Sequence, residues 1–341
     1  MHRATNIRLT RLWLFLFIVC IGGCERRQHL VEQHLLEFGT IIEITMISGD
    51  LTRAERLLRE IETRLRAYRK QWHAWEDSDL TRFNNALQQG KTVAIPKSLV
   101  TLIRLSRDYY DSSGGLFNPA LGKLIAAYGF HGGDADSAAV AAIRRNLPTM
   151  QDLQVDGGMA RSSNPDLQID LGGIAKGYAV GLIADYLDRN GIDNYILNAG
   201  GDMRIAGNRF GRPWRIGIKN PFAPGVVAIL QLEGRHSLFT SGNYQRQYWQ
   251  GDRRMHHIID PRSGEPSRGQ SSATVLDADP VRADVAATAL MVDGTRKTRD
   301  LALSLSIDDF LIISDSREMK ASASFADRLE IKVSWPMEII N

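Results

Sequence analysis

Cysteine is almost absent. The 341 residues hold two, and Cys20 lies within an early apolar run, so the rest of the chain offers neither a disulfide framework nor a thiolate metal site. Charge of one sign is missing too. Lys and Arg number 42 against 39 Asp and Glu. Arg3, Arg8 and Arg11 fall within the first 23 residues, where there is no acid, so 39 basic residues face 39 acidic ones beyond them. That balance gives no case for a nucleic-acid partner. The apolar run Leu12 to Ile21 has ten residues, too few for a permanent span, which needs ~20. No His-Glu-x-x-His pattern supports a zinc protease, and Ser241 lies in no nucleophile-elbow sequence. Repeats, heptads and a Pro/Gly-rich linker are likewise missing.

What is present begins with a basic segment, the short apolar run, and Gly22-Gly23 before Cys24. This order describes an export signal. With the small pair directly before cysteine it resembles a lipoprotein signal, which makes Cys24 the lipidated first residue; an ordinary cleaved signal is the alternative. The expected division is a signal at 1–23, a polar tether at 24–37 and a globular part at 38–341. One composite domain or two closely packed lobes both suit that length.

Gly39 to Met46 alternates as a strand, with Ile42, Ile44 and Met46 on one face. Apolar positions from Ala54 to Tyr68 fall at helical spacing, so a helix is predicted to about Trp72, followed by a polar loop through Trp75 to Asn84. Indoles beside acids and amides could stack on a flat ligand, although core packing explains at least one of Trp72 and Trp75. A second helix is predicted over 98–112, and His131 to Asn164 carries little signal. Short strands are predicted at 194–197, 214–218, 226–232, 236–240, 256–259, 273–276 and 310–313, with helices at 283–291 and 301–305. Strands and helices without a βαβ rhythm favour α+β.

Chemistry concentrates in a few stretches. Asp170-Leu-Gly-Gly-Ile-Ala-Lys-Gly-Tyr178 opens an apolar-periodic run, so a glycine-backed turn meets a helix start between opposite charges. A phosphate or cation site and a plain capped turn both fit it. Asn198-Ala-Gly-Gly-Asp202 is a second such turn. Asp284 and Thr288 stand four apart on one helix face, the hard oxygen ligands Mg²⁺ prefers; dipole complementarity and backbone bonding are the plain alternatives. His256 and His257 open a predicted strand, where only one of two neighbours can face a given pocket. A general base and a merely hydrogen-bonded histidine are both open readings there. Phe117 reads as a core anchor ahead of a ligand wall.

In series these segments resemble the FAD:protein FMN transferase (ApbE-type) family. The matching pieces are Phe38-Gly-Thr, Trp75 with Asp77-Ser-Asp-Leu-Thr-Arg-Phe-Asn84, Gly115-Leu-Phe-Asn-Pro-Ala-Leu-Gly122 with Tyr128-Gly-Phe130, and the Asp170–Tyr178 run. Asn198–Asp202, Thr240-Ser-Gly-Asn-Tyr244, His257-Ile-Ile-Asp-Pro-Arg-Ser-Gly264 and Ala283-Asp284 with Thr288 complete the set. The resemblance implies a two-lobed α+β enzyme with its site in the cleft, which binds FAD, uses Mg²⁺ to split the pyrophosphate, and transfers FMN to a Thr or Ser hydroxyl of an exported or membrane redox partner. It assigns Mg²⁺ to Asp284, Thr288 and the Gly173 carbonyl, and makes His257 the general base. FAD contacts fall to Phe38, Trp75, Phe117, Asn118, Asp170, Lys176 and Ile259. Phe38 departs from the Met usual there. An enzyme tethered through Cys24 would face the periplasm, expected on the inner rather than the outer membrane. An FAD pyrophosphatase shares every site residue, and a flavin-binding lipoprotein without turnover is the reading from another class.

Overall fold

The alternation of Ile42, Ile44 and Met46 places three apolar side chains on one side of a strand, Thr40–Ser48, and all three are buried. In a computed structural model, which describes residues 28–251, 253–294 and 298–341, that strand is the second of a nine-stranded sheet. Its order is His29–Glu37, Thr40–Ser48, Tyr195–Ala199, Asp202–Ala206, His236–Gly242, Gln270–Asp277, Asp309–Ser314, Met319–Ser322 and Met337–Ile340. Every neighbouring pair is antiparallel except the last, which is parallel. Successive residues of the central strands feed opposite cores. Phe239, Val275 and Ile312 pack beneath helices, whereas Leu238, Leu276 and Ile313 pack against a small sheet of Trp214–Lys219, Val226–Leu232 and Glu330–Ile331. A mixed α+β fold is the result, as the absence of βαβ rhythm predicts.

The helical face positions the site. Pro280–Asp293 crosses the strands His236–Gly242 and Gln270–Asp277 and lies against Ala175–Arg189. It is apolar nearly all round, as befits a helix packed on several sides. Asp279 starts it by accepting from the Val281 N–H, with Pro280 in the first turn, and Gly294 ends it in the left-handed conformation.

Four expectations change. The stretch read as tether carries the sheet's first strand from His29, where Val31 and Leu35 lean on the core while Leu36 is exposed; one face of this antiparallel pair lies on the core and the other is open to solvent, free to be polar. The polar loop after Trp72 is shorter than expected, because Ser78 and Thr81 form a reciprocal cap that starts a helix, Asp79–Gln88. The strand at 256–259 breaks into Arg253–His256 and Ile259–Asp260. The stretch with little signal holds the helix Ser137–Ile143 and the hairpin of Leu153–Asp156 with Met159–Ser162. Among the described residues no helix is long and apolar enough to cross a membrane. Cys24 and the signal lie outside the described residues.

Candidate active site

Two helices meet at a glycine. A Cβ on Gly177 would lie 2.4 Å from the Pro280 carbonyl oxygen and 2.9 Å from the Asp284 Cβ, so only glycine permits this approach. The approach lets the Gly177 N–H donate to Asp284 Oδ2 at 2.8 Å. Gly177 stands in the first turn of the helix Ala175–Arg189, where an N–H has no partner within the helix, and Asp284 satisfies it. Ile174 is the N-cap, so the Gly173 carbonyl lies before the helical ladder. Thr288 stands next to it: a Cβ on Gly173 would lie 3.2 Å from Thr288 Oγ1 and 3.1 Å from Phe117 Cε2. The Thr288 hydroxyl donates to the Asp284 carbonyl at 3.2 Å and lies 3.1 Å from Ser241 Oγ. A carboxylate, a hydroxyl and a carbonyl are hard donors that could hold Mg²⁺. Among the described residues no group of three or more His, Cys, Asp or Glu offers a competing metal site.

The charges around this set are strongly coupled. Asp284 is 4% exposed, and burial raises its pKa, with Asp202 adding to the rise and Lys176 opposing it. The Lys176 ammonium pairs with the buried Asp202 carboxylate, whose other oxygen accepts from the Thr240 N–H at 2.9 Å. Burial works against the Lys176 ammonium, yet Asp202 and Asp284 outweigh it and the pKa is raised. The second glycine turn of the sequence therefore carries the counterion of the first. This role for Asp202 was not legible from its own motif.

An aromatic slot lies beside the turn. Asp170 does not cap the helix, which begins at Ala175; its Oδ1 accepts from the Gly172 N–H at 2.8 Å and fixes the turn instead. Burial raises the Asp170 pKa. His131 Nε2 comes within 3.8 Å of Asp170 Oδ2, and the His131 ring stacks on Trp75 with centroids 3.3 Å apart. Trp72, by contrast, is a core residue stacked on Tyr68. Phe38 and Lys176 line one small apolar cavity of about 10 Å³ together with Ile44 and Leu197. His131 escaped the sequence reading because nothing periodic surrounds it.

His257 follows the strand break. Its ring Nδ1 faces the Arg246 carbonyl at 3.4 Å; a carbonyl only accepts, so this contact puts the proton on Nδ1 and leaves the Nε2 lone pair free. Burial, together with Arg246, His256 and Lys176, holds its pKa down at about 3, so the ring is neutral. His256 takes the other direction, its Nε2 on the Ser267 carbonyl at 2.8 Å, and of the two neighbours only His257 feels the Lys176 charge. Two expected ligand contacts have other employment. The Asn118 amide donates to the Pro148 carbonyl and accepts from the Ala120 N–H, and Ile259 is buried with Leu121, Leu124 and Tyr128.

Fold and site together define an α+β protein with a carboxylate, a hydroxyl and a carbonyl oxygen, a half-buried lysine and a neutral histidine around one glycine turn. The ApbE family model matches residues 38–311, and the chain belongs to the ApbE family. It is 36% identical over 305 residues to the FAD:protein FMN transferase of Rhodobacter capsulatus, covering 88% of this chain and 58% of that one. To the Vibrio cholerae protein of the same name it is 32% identical over 336 residues, covering 92% and 98% of the two. Among solved structures, the ApbE protein of Thermotoga maritima superposes with a TM-score of 0.79 at 26% identity, covering 88% of this chain and 99% of that one. The flavin transferase ApbE of Vibrio cholerae gives 0.75 at 29%, covering 89% and 100%.

Proposed function

We propose that the protein is an Mg²⁺-dependent FAD:protein FMN transferase. One observation carries this reading: the Gly177 N–H holds the Asp284 carboxylate at the helix start, where the Thr288 hydroxyl and the Gly173 carbonyl, which precedes the helical ladder, are further oxygen donors at the turn that also bears Lys176. These three residues would hold the metal, which when bound supplies charge neutralisation on pyrophosphate oxygens. Lys176 adds a half-buried positive charge where negative charge builds up. Trp75 and Phe117 supply flat apolar surface for the ring systems, with Phe38, Asn118, Asp170 and Ile259 as further FAD contacts; for Asn118 and Ile259 the contact falls to backbone, since their side chains are engaged.

In the transfer, a Thr or Ser hydroxyl oxygen of the acceptor attacks the phosphorus on the FMN side. The new P–O bond forms as the bond to the bridging oxygen breaks, and AMP leaves with that electron pair. His257 Nε2 takes the hydroxyl proton. An incoming pyrophosphate brings negative charge into the pocket, which moves the His257 pKa up from its ligand-free value and makes it a stronger base. The acceptor is an exported or membrane redox protein, reached by an enzyme held at the inner membrane through lipidated Cys24 and facing the periplasm.

Incubating the protein with FAD, Mg²⁺ and an acceptor domain should give flavin fluorescence that stays on the denatured acceptor in a gel, with one AMP released per flavin attached. Asp284→Ala and His257→Ala should each abolish it. FMN and AMP released in solution with no labelled acceptor would replace the transferase by a pyrophosphatase, and intact FAD throughout would leave a binding protein.

A further inference from the structure

His131 has no part in the mechanism above, yet its ring covers one face of Trp75, a side chain assigned there to the ligand. Its side chain is 9% exposed, and its Nε2 is buried with no hydrogen-bond partner among the described residues. The nearest acceptor, Asp170 Oδ2, lies at 3.8 Å, beyond a hydrogen bond. The imidazole forgoes that hydrogen bond while it is stacked on Trp75. Its backbone is rich in glycine between two fixed points. Tyr128 is fixed on one side by its hydroxyl on the Gly264 carbonyl, and Asp136 on the other by its N–H on the Ala127 carbonyl. Between these posts Gly129, Gly132 and Gly133 all have positive φ, and Gly132 and Gly133 touch nothing within 4 Å on their Cβ side.

Resting on the reading of the site as an FAD site, we infer that His131 is an exchangeable plug: its ring fills the Trp75 stacking slot in the free protein and is displaced by a flat ring of the incoming ligand. Displacement costs at most the stack on Trp75, and the ring that leaves regains water for its orphaned nitrogen. It also selects ligands. Only a molecule with an aromatic ring recovers the stacking that departure of His131 forfeits, so a bare polyphosphate does not open the slot.

The test compares wild type with His131→Ala. In ligand-free protein carrying 5-fluorotryptophan, the ¹⁹F signal of Trp75, identified by its loss in Trp75→Phe, should move when His131 is removed. A signal that stays put means the stack does not form in solution and overturns the inference. FAD affinity, read by flavin fluorescence, should tighten about two- to tenfold in His131→Ala, the equivalent of one aromatic stack. Affinity for inorganic pyrophosphate should not change. Weaker or unaltered FAD binding in the variant would make His131 a ligand contact or a bystander and end the proposal. A wild-type protein that binds no FAD at all would end the parent reading as well, which separates the two failures.

Discussion

Gly177→Ala tests the helix crossing on which the donor set depends. The added Cβ would meet the Pro280 carbonyl oxygen at 2.4 Å and the Asp284 Cβ at 2.9 Å, and a backbone carbonyl on a buried helix has no rotamer by which to withdraw. The helices must separate. Overpacking of this kind costs about 1–3 kcal/mol, and exchanging glycine for alanine within a helix returns at most about 1 kcal/mol. The net expectation is a loss of about 1–2 kcal/mol in urea unfolding. The effect on function should be larger, because separation stretches the 2.8 Å bond that orients Asp284. Loss of such a supporting contact typically costs about 10- to 100-fold in metal affinity or activity. Gly181→Ala is the control: its Cβ would meet only the Pro280 ring carbon Cγ, at 3.1 Å, so stability should fall less and metal-dependent turnover should persist. A Gly177→Ala protein as stable and as active as wild type would refute the reasoning.

Three further outcomes follow from the same geometry. Lys176→Met leaves Asp202 and Asp284 buried without their cation, and stability should drop by about 3–5 kcal/mol in urea unfolding; a smaller loss at pH 7 than at higher pH would show Asp284 taking up a proton instead. Gly173→Ala presses on Phe117 and Thr288 at 3.1 and 3.2 Å and should weaken Mg²⁺ dependence of turnover with little change in fold, checked by metal titration and circular dichroism. The third outcome concerns pH. His131 and His257 are held down to about 3 and His256 is also lowered, chiefly by burial, so unfolding takes up protons below the ordinary histidine value of 6.5. The stability these groups contribute is present in full above pH 6.5 and lost as pH falls toward 3, so the urea midpoint should decline on acidification through that window; a flat profile would contradict it.

The legible parts of this protein are those in which local spacing fixes geometry. Asp284 and Thr288 share a helix face whatever the tertiary structure, and Ile42, Ile44 and Met46 share a strand face for the same reason. The site around them depends on contacts between segments far apart in the chain. Gly177 looks like a weak helix residue until Pro280 is placed against it, and Asp202 looks like a turn acid until Lys176 reaches it. His131 comes from a segment without periodicity and enters the site only because the loop after Tyr128 folds back over Trp75. The first strand was hidden by polarity. His29–Glu37 alternates, but an edge strand with one free face tolerates enough polar residues to pass for a tether.

The central claim is that FMN is transferred to a protein hydroxyl at this glycine turn, and the intact mass of an acceptor domain tests it most directly. After incubation with the protein, FAD and Mg²⁺, the acceptor should gain the mass of one FMN less one water, and lose that gain when Mg²⁺ is chelated, when its target threonine is alanine, or when the enzyme carries Asp284→Ala. An unchanged acceptor mass while FAD is consumed, or a gain that survives Asp284→Ala, would contradict the account.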